Sequence, residues 1–118
     1  MRRNLKRLIP PDSLAVFAAI GAALKRARVA RNFTLDAAAG RSGVSRASIA
    51  RMERGDPSVA FGAYGAYLHL LGLFSQVAEA CEPAQDALGE HLRAQQVRQR
   101  PRSPPAGKAA DTAARYDF

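Results

Sequence analysis

The stretch "LDAAAGRSGVSRASIARMERG", residues 35–55, constrains this chain more than its composition does. It reads as two short helices joined at Gly43, where a sharp turn calls for a positive φ that only glycine adopts cheaply. Ala39, four residues earlier, is small where the two helices must approach each other. Val44, Ile49 and Met52 follow, and the last two, three apart, lie on one side of the second helix. The spacing predicts that Ala39, Val44, Ile49 and Met52 are buried against the helices before and after. It leaves Ser45, Arg46, Ala47, Ala50 and Arg51 facing out, with two arginines beside a smooth alanine floor. A helix built this way can lie in a major groove, whose width admits it.

The flanking sequence supplies the helices that such a pair needs. "IPPDSL" starts a first helix, about Leu14 to Ala30, with Asp12 or Ser13 as N-cap. Phe17, Ile20, Leu24 and Ala27 form its buried stripe, and Lys25, Arg26, Arg28 and Arg31 fall mostly off it. Asn32 stops that helix. Thr34 caps a second, about Leu35 to Arg41, and Ser45 a third, about Arg46 to Arg54, which Gly55-Asp56-Pro57 ends. A fourth, about Ala60 to Leu71, carries Phe61, Tyr64, Leu68 and Leu71 on one apolar side before Gly72. A fifth, about Phe74 to Cys81, ends at Glu82-Pro83. Asp86 to Gln96 reads as a further helix with Leu88, Leu92 and Gln96 on one face. From residue 98 the sequence is rich in Pro, Ala and charge, lacks a core pattern and reads as disordered.

Charge is segregated along the 118 residues. Residues 1–57 hold twelve Lys/Arg against four Asp/Glu, residues 58–92 hold four acids and no Lys or Arg, and residues 93–118 hold six basic and two acidic residues. A basic front half of this kind points to a polyanionic partner, and solubility alone does not require it. The single cysteine, Cys81, excludes an intramolecular disulfide, fits a reducing cytosol and reads as small apolar packing on a helix. "MRRNLKRL" followed by "LAVFAAIGAAL" imitates a signal peptide, but Pro10, Pro11 and Asp12 interrupt it and "KRARVAR" stands where a mature start should lie. No apolar run approaches the roughly 20 residues that cross a bilayer. No metal-ligand cluster involves His69, His91 or Cys81, and no nucleophile–base pair, phosphate-cradling glycine loop or paired carboxylate marks an enzyme or a cofactor site. Tyr64 and Tyr67 read as core or dimer surface.

"FTLDAAAGRSGVSRASIARMERGDPS" resembles the helix-turn-helix of the Xre/Cro family of bacterial DNA-binding regulators. "IGAALKRARVARN" is similar to that family's first helix, and "VAFGAYGAYLHLLGL" to its fourth. The resemblance implies an all-α fold: a compact five-helix, lambda-repressor-like helix-turn-helix domain with a disordered basic tail. Its parts are a basic N-terminal arm (1–12), the domain (13–82), an acidic-to-polar helical extension (83–97) and the tail (98–118). It also implies that Ser45, Arg46, Ala47 and Arg51 face the bases and that Thr34, Leu35, Ser48, Arg54 and Gly55 lie beside phosphates. Gly43 is the structural turn. Arginine suits guanine because its fork matches the O6/N7 acceptor pair. Ala38, Gly40 and Ser42 depart from the family's usual residues and predict a soft second helix.

The expected function is a cytoplasmic, nucleoid-associated transcriptional repressor, binding double-stranded DNA as a homodimer, with no cofactor, no metal, no membrane and no enzymatic activity. The alternative is a HipB-like antitoxin, since "RGDPSVAFGAYGAYLHLLGL" and the later "RQRPR" are similar to that type. It would neutralise a HipA-like toxin kinase and autoregulate its operon. Structured-RNA binding is a third reading. Arg2, Arg3, Lys6 and Arg7 read either as a frayed terminus or as an arm adding contacts to DNA.

Overall fold

The computed structural model describes residues 4–99. The described residues form α1 (Leu5–Leu8), α2 (Pro11–Ala30), α3 (Leu35–Ser42), α4 (Arg46–Glu53), α5 (Phe61–Leu70), α6 (Phe74–Ala80), a single 3-10 turn (Pro83–Gln85) and α7 (Ala87–Gln99). They are all-helical and hold seven helices, against the five expected of the domain. α7 answers to the further helix expected over Asp86 to Gln96, and the single-turn α1 in the basic arm was not foreseen. The chain divides after Ala80 into two compact units. The tail reading lies outside the described residues, except that α7 includes Arg98 and Gln99.

α2 starts three residues earlier than the sequence predicts. Its N-cap is Pro10, without a side-chain cap, and Pro11 stands at the first helical position. A proline there loses no useful N–H and its φ is already helical, so it starts the helix and Asp12 falls in the favourable first turn. Asn32, at φ 56°, ends α2. The Asn32 N–H bonds Val29 O and the Phe33 N–H bonds Arg28 O, which satisfies carbonyls left open at the helix end.

In the first unit α2 packs on α4, α3 on α4 and α5, α4 on α5, and α5 on α6. The core is Leu24, Ala38, Ile49, Met52, Val59, Tyr64, Tyr67 and Leu71, with Ala39 and Val44 half-buried around it. Ile49 and Met52 are fully covered as expected, but Ala38 takes the deep position expected of Ala39. Ile20 is exposed, and the buried stripe of α2 is Gly21, Leu24 and Arg28. Gly21 is selected by close approach: a Cβ there would stand 2.6 Å from Met52 O and 2.7 Å from Glu53 O. Phe61 is also exposed. It lies beside Phe74, ring centroids 6.4 Å apart, while Tyr64, Gly65 and Tyr67 form the covered side of α5.

Arg28 is the largest departure from expectation. It is buried, donating from Nε and Nη2 to the Glu53 carboxylate and from Nη1 to Phe33 O at 2.9 Å. Arg31 donates to Leu71 O at 2.8 Å and so holds the end of α5. One basic residue of the front half, Arg28, is therefore spent inside the fold, and Arg31, still exposed, is tied to a helix end. Cys81 is exposed in the turn after α6, not packed on a helix. In the second unit Asp86 Oδ1 accepts from the Gly89 N–H at 3.0 Å and starts α7, none of whose residues is buried.

Candidate nucleic-acid interface

α3 and α4 meet at Gly43, whose φ of 76° and N–H to Ala39 O bond end α3. Ser42 Oγ accepts from the Val44 N–H at 3.1 Å, a local bond that an apolar residue at this position could not make. The caps fall where the sequence predicts. Thr34 Oγ1 accepts from the Ala37 N–H at 3.0 Å, and Ser45 Oγ from the Ser48 N–H at 3.1 Å. Each cap satisfies an amide that the helix itself leaves open.

Because Ile49 and Met52 turn into the core, the opposite side of α4 is set outward. Ser45, Arg46 and Ala47 are exposed, and Ala50 and Arg51 are half-exposed. Arg46 Nη1 lies 3.0 Å from Asp36 Oδ1, with side chains 62% and 75% exposed, so the pair links the first turns of α3 and α4 loosely. Arg51 is held more firmly. Its Nε donates to Asp56 Oδ2 at 3.0 Å and its Nη2 to Ser58 Oγ at 2.7 Å. Asp56 and Ser58 carry no signal in the sequence beyond the turn "GDPS", because their partner is set by how α4 ends.

The positions expected beside phosphate are spread over three places. Thr34 and Leu35 sit at the start of α3. Thr34 caps through its oxygen, and Leu35 is half-buried against the core. Ser48 accepts from the Ser45 hydroxyl at 2.9 Å and lines, with Arg51, Ser58, Val59, Ala60, Ala63 and Leu5, an open cleft of about 470 Å³. Leu5 carries the basic turn Leu5–Leu8 to the edge of this cleft. Arg2 and Arg3 lie outside the described residues. Arg54 is exposed at the end of α4. Gly55, at φ 77°, gives its N–H to Met52 O, and a Cβ there would stand 2.7 Å from Ala18 Cα, so its place in the fold is a close helix approach.

The chemistry offered is a helical face with arginine forks, serine hydroxyls and exposed helix starts. Among the described residues no group of His, Cys, Asp and Glu could hold a metal ion. No helix among them is long and apolar enough to cross a membrane.

Two helices joined by a glycine turn, the second with one face buried and one presented, define the helix-turn-helix of a DNA-binding regulator. The chain belongs to the helix-turn-helix domain family, whose match spans residues 19–81. The match begins within α2 and ends just after α6, so it takes in the whole of the α3–α4 pair. No curated protein and no solved structure matches the chain.

Proposed function

We propose that this protein is a sequence-specific repressor of the Xre/Cro type that lays α4 in the major groove as a homodimer. The observation that carries this reading is the division of α4: Ile49 and Met52 are fully covered, while Ser45, Arg46 and Ala47 are exposed on the other side. Arg46 and Arg51 read base edges, and Ala47 permits close approach or touches a thymine methyl. Thr34, Leu35, Ser48 and Arg54 hold phosphates, with Gly55 shaping the turn that presents Arg54. Residues 13–82 carry recognition, residues 1–12 add basic contacts, and the protein works in the cytoplasm at the nucleoid. Half-sites of a dimer lie about 34 Å apart, one helical turn.

A competition assay with the purified full chain tests this reading. Labelled duplex from its own promoter should be displaced by the same unlabelled duplex and poorly by structured RNA or unrelated duplex. Displacement by RNA at equal or lower concentration contradicts it.

A second reading, the HipB-like antitoxin with a HipA-like kinase as partner, is favoured by α7. There Leu88, Leu92 and Val97 are 67%, 46% and 75% exposed on a helix with no buried residue. Co-purification of an inactive kinase with the chain supports it, and a kinase whose activity the chain leaves unchanged counts against it.

A further inference from the structure

The Arg51–Asp56–Ser58 cluster carries more than loop closure. We propose that Asp56 and Ser58 are positioning residues for sequence reading: they grip Arg51 by one edge of its guanidinium and present the other edge, already oriented, to a guanine. This rests on the proposal that α4 reads the major groove.

The polarity of the grip is fixed by the hydrogen count. Ser58 gives its hydroxyl proton to Asp56 Oδ1 at 2.6 Å and its N–H to the same oxygen at 2.8 Å. Toward Arg51 its hydroxyl can then only accept, which it does from Nη2 at 2.7 Å. Asp56 Oδ2 accepts from Nε at 3.0 Å. The loop is thus an acceptor pair that fits a side chain with two adjacent donors. Arginine has five N–H groups, and this edge uses two of them. Nη1 has no partner among the described residues, so both its hydrogens and the outer one of Nη2 remain. That end is the two-donor fork that matches guanine O6 and N7.

The loop does not need Arg51 for its own shape. The Tyr64 hydroxyl donates to Asp56 O at 2.6 Å, Pro57 and Val59 are buried, and Ser58 already closes on Asp56. Arg51 is the guest of a platform fixed to α5. The charge supports a base over a phosphate as its target. A carboxylate 3.0 Å away neutralises the cation, which weakens its pull on an anion but leaves its donors for a neutral base edge. Asp56 stays ionised, since the Ser58 hydroxyl, then the Ser58 amide and Arg51, hold its pKa at about 2. Arg54, exposed and without a carboxylate among the described residues, is the contrasting cation suited to phosphate.

The test selects binding sites for the full chain from random duplexes. Affinity is then measured for the selected site and for every single-base variant of it. The proteins compared are wild type, Arg51→Ala, Asp56→Asn, Ser58→Ala and the double variant Arg51→Ala/Asp56→Asn. Thermal melts accompany each protein, and Ser58→Ala serves as the milder lesion, since it leaves the Asp56–Nε contact in place. Arg51→Ala should flatten a preference of about tenfold to a hundredfold for one G·C pair. Asp56→Asn and Ser58→Ala should each lower the preference at that same pair by roughly threefold to tenfold, because an untethered arginine samples many rotamers. In the Arg51→Ala background, Asp56→Asn should change that pair no further. Asp56→Asn or Ser58→Ala protein that keeps the full preference, or loses affinity equally at all positions, overturns the proposal. Wild-type protein with no preference for any duplex overturns the DNA-reading proposal itself, a distinct result.

Discussion

Arg28 on α2 and Glu53 at the end of α4 are joined by two hydrogen bonds, Nε to Oε2 at 2.8 Å and Nη2 to Oε1 at 3.0 Å. Their side chains are only 11% and 7% exposed, and the Tyr67 hydroxyl donates to Glu53 Oε2 at 2.6 Å. Burial by itself pushes the Glu53 carboxyl upward, and the bonds from Arg28 and Tyr67 outweigh it and hold the group below the ordinary range. The bond to Glu53 raises Arg28 in turn. Neither charge is tolerable in that place without the other. The pair therefore fixes the far end of α4, as the Gly43 turn fixes its start.

Breaking this pair should unfold the domain more readily than any surface change. Glu53→Ala leaves a buried guanidinium without its carboxylate and should cost about 3–5 kcal/mol. Tyr67→Phe removes one bond to a charged acceptor and should cost about 1.5–3 kcal/mol. Urea denaturation of both variants checks the order.

Acid should erode stability through the carboxylates with depressed pKa values. Asp56 is lowered from 3.8 to about 2, chiefly by the Ser58 hydroxyl and amide and then by Arg51. A depressed folded-state pKa contributes stability above the unfolded value and loses it as pH falls through the folded one. The melting temperature of Asp56→Asn should lie below wild type at pH 6, and the gap should close between about pH 4 and pH 2. A gap that is constant with pH contradicts the ionised pair.

The glycines separate close approach from mere flexibility. Gly21→Ala puts a Cβ 2.6–2.7 Å from backbone atoms of Met52, Glu53 and Gly55, none of which can give way cheaply. It should cost at least about 1–3 kcal/mol. Gly40→Ala meets nothing within 4 Å and should gain about 0.5–1 kcal/mol. Thermal melts of the two variants should shift in opposite directions.

Asp36 should restrain DNA binding without supporting the fold. Its pair with Arg46 is exposed on both sides, so Asp36→Asn should change stability by no more than about 1 kcal/mol. Freed of the carboxylate, Arg46 should bind duplex more tightly, while the salt slope, which counts phosphates, stays nearly unchanged. Binding titrations at three salt concentrations and a thermal melt check these points.

The local signals in the sequence were strong where one residue has one task. Thr34 and Ser45 as caps, Gly43 at positive φ, and Ile49 and Met52 three apart needed no distant partner to be recognised. What escaped depends on contacts far along the chain. Arg28 looked like a surface residue because its burial needs Glu53, 25 positions on, and Tyr67 beyond that. Ile20 looked like core, yet the end of α4 comes so near α2 that glycine, at 21, takes the inner place. Phe61 followed the apolar period of α5 but lies on its outer side with Phe74. Pro11 stands before the N-cap expected at Asp12 or Ser13, yet it is the first residue of α2, because its fixed φ suits the first helical position. The outward placing of Arg46 and Arg51 followed by elimination from the buried side. Their partners Asp36, Asp56 and Ser58 were not foreseen, because side-chain pairing across a turn leaves no periodic trace.

The most direct test of the central claim is a salt titration of the full chain on duplex from its own promoter, read by binding and by footprinting together. The account predicts that log affinity falls linearly with log salt, with a slope reporting several phosphate contacts. It also predicts protection of two half-sites about 34 Å apart. A shallow slope with no protected site would contradict it.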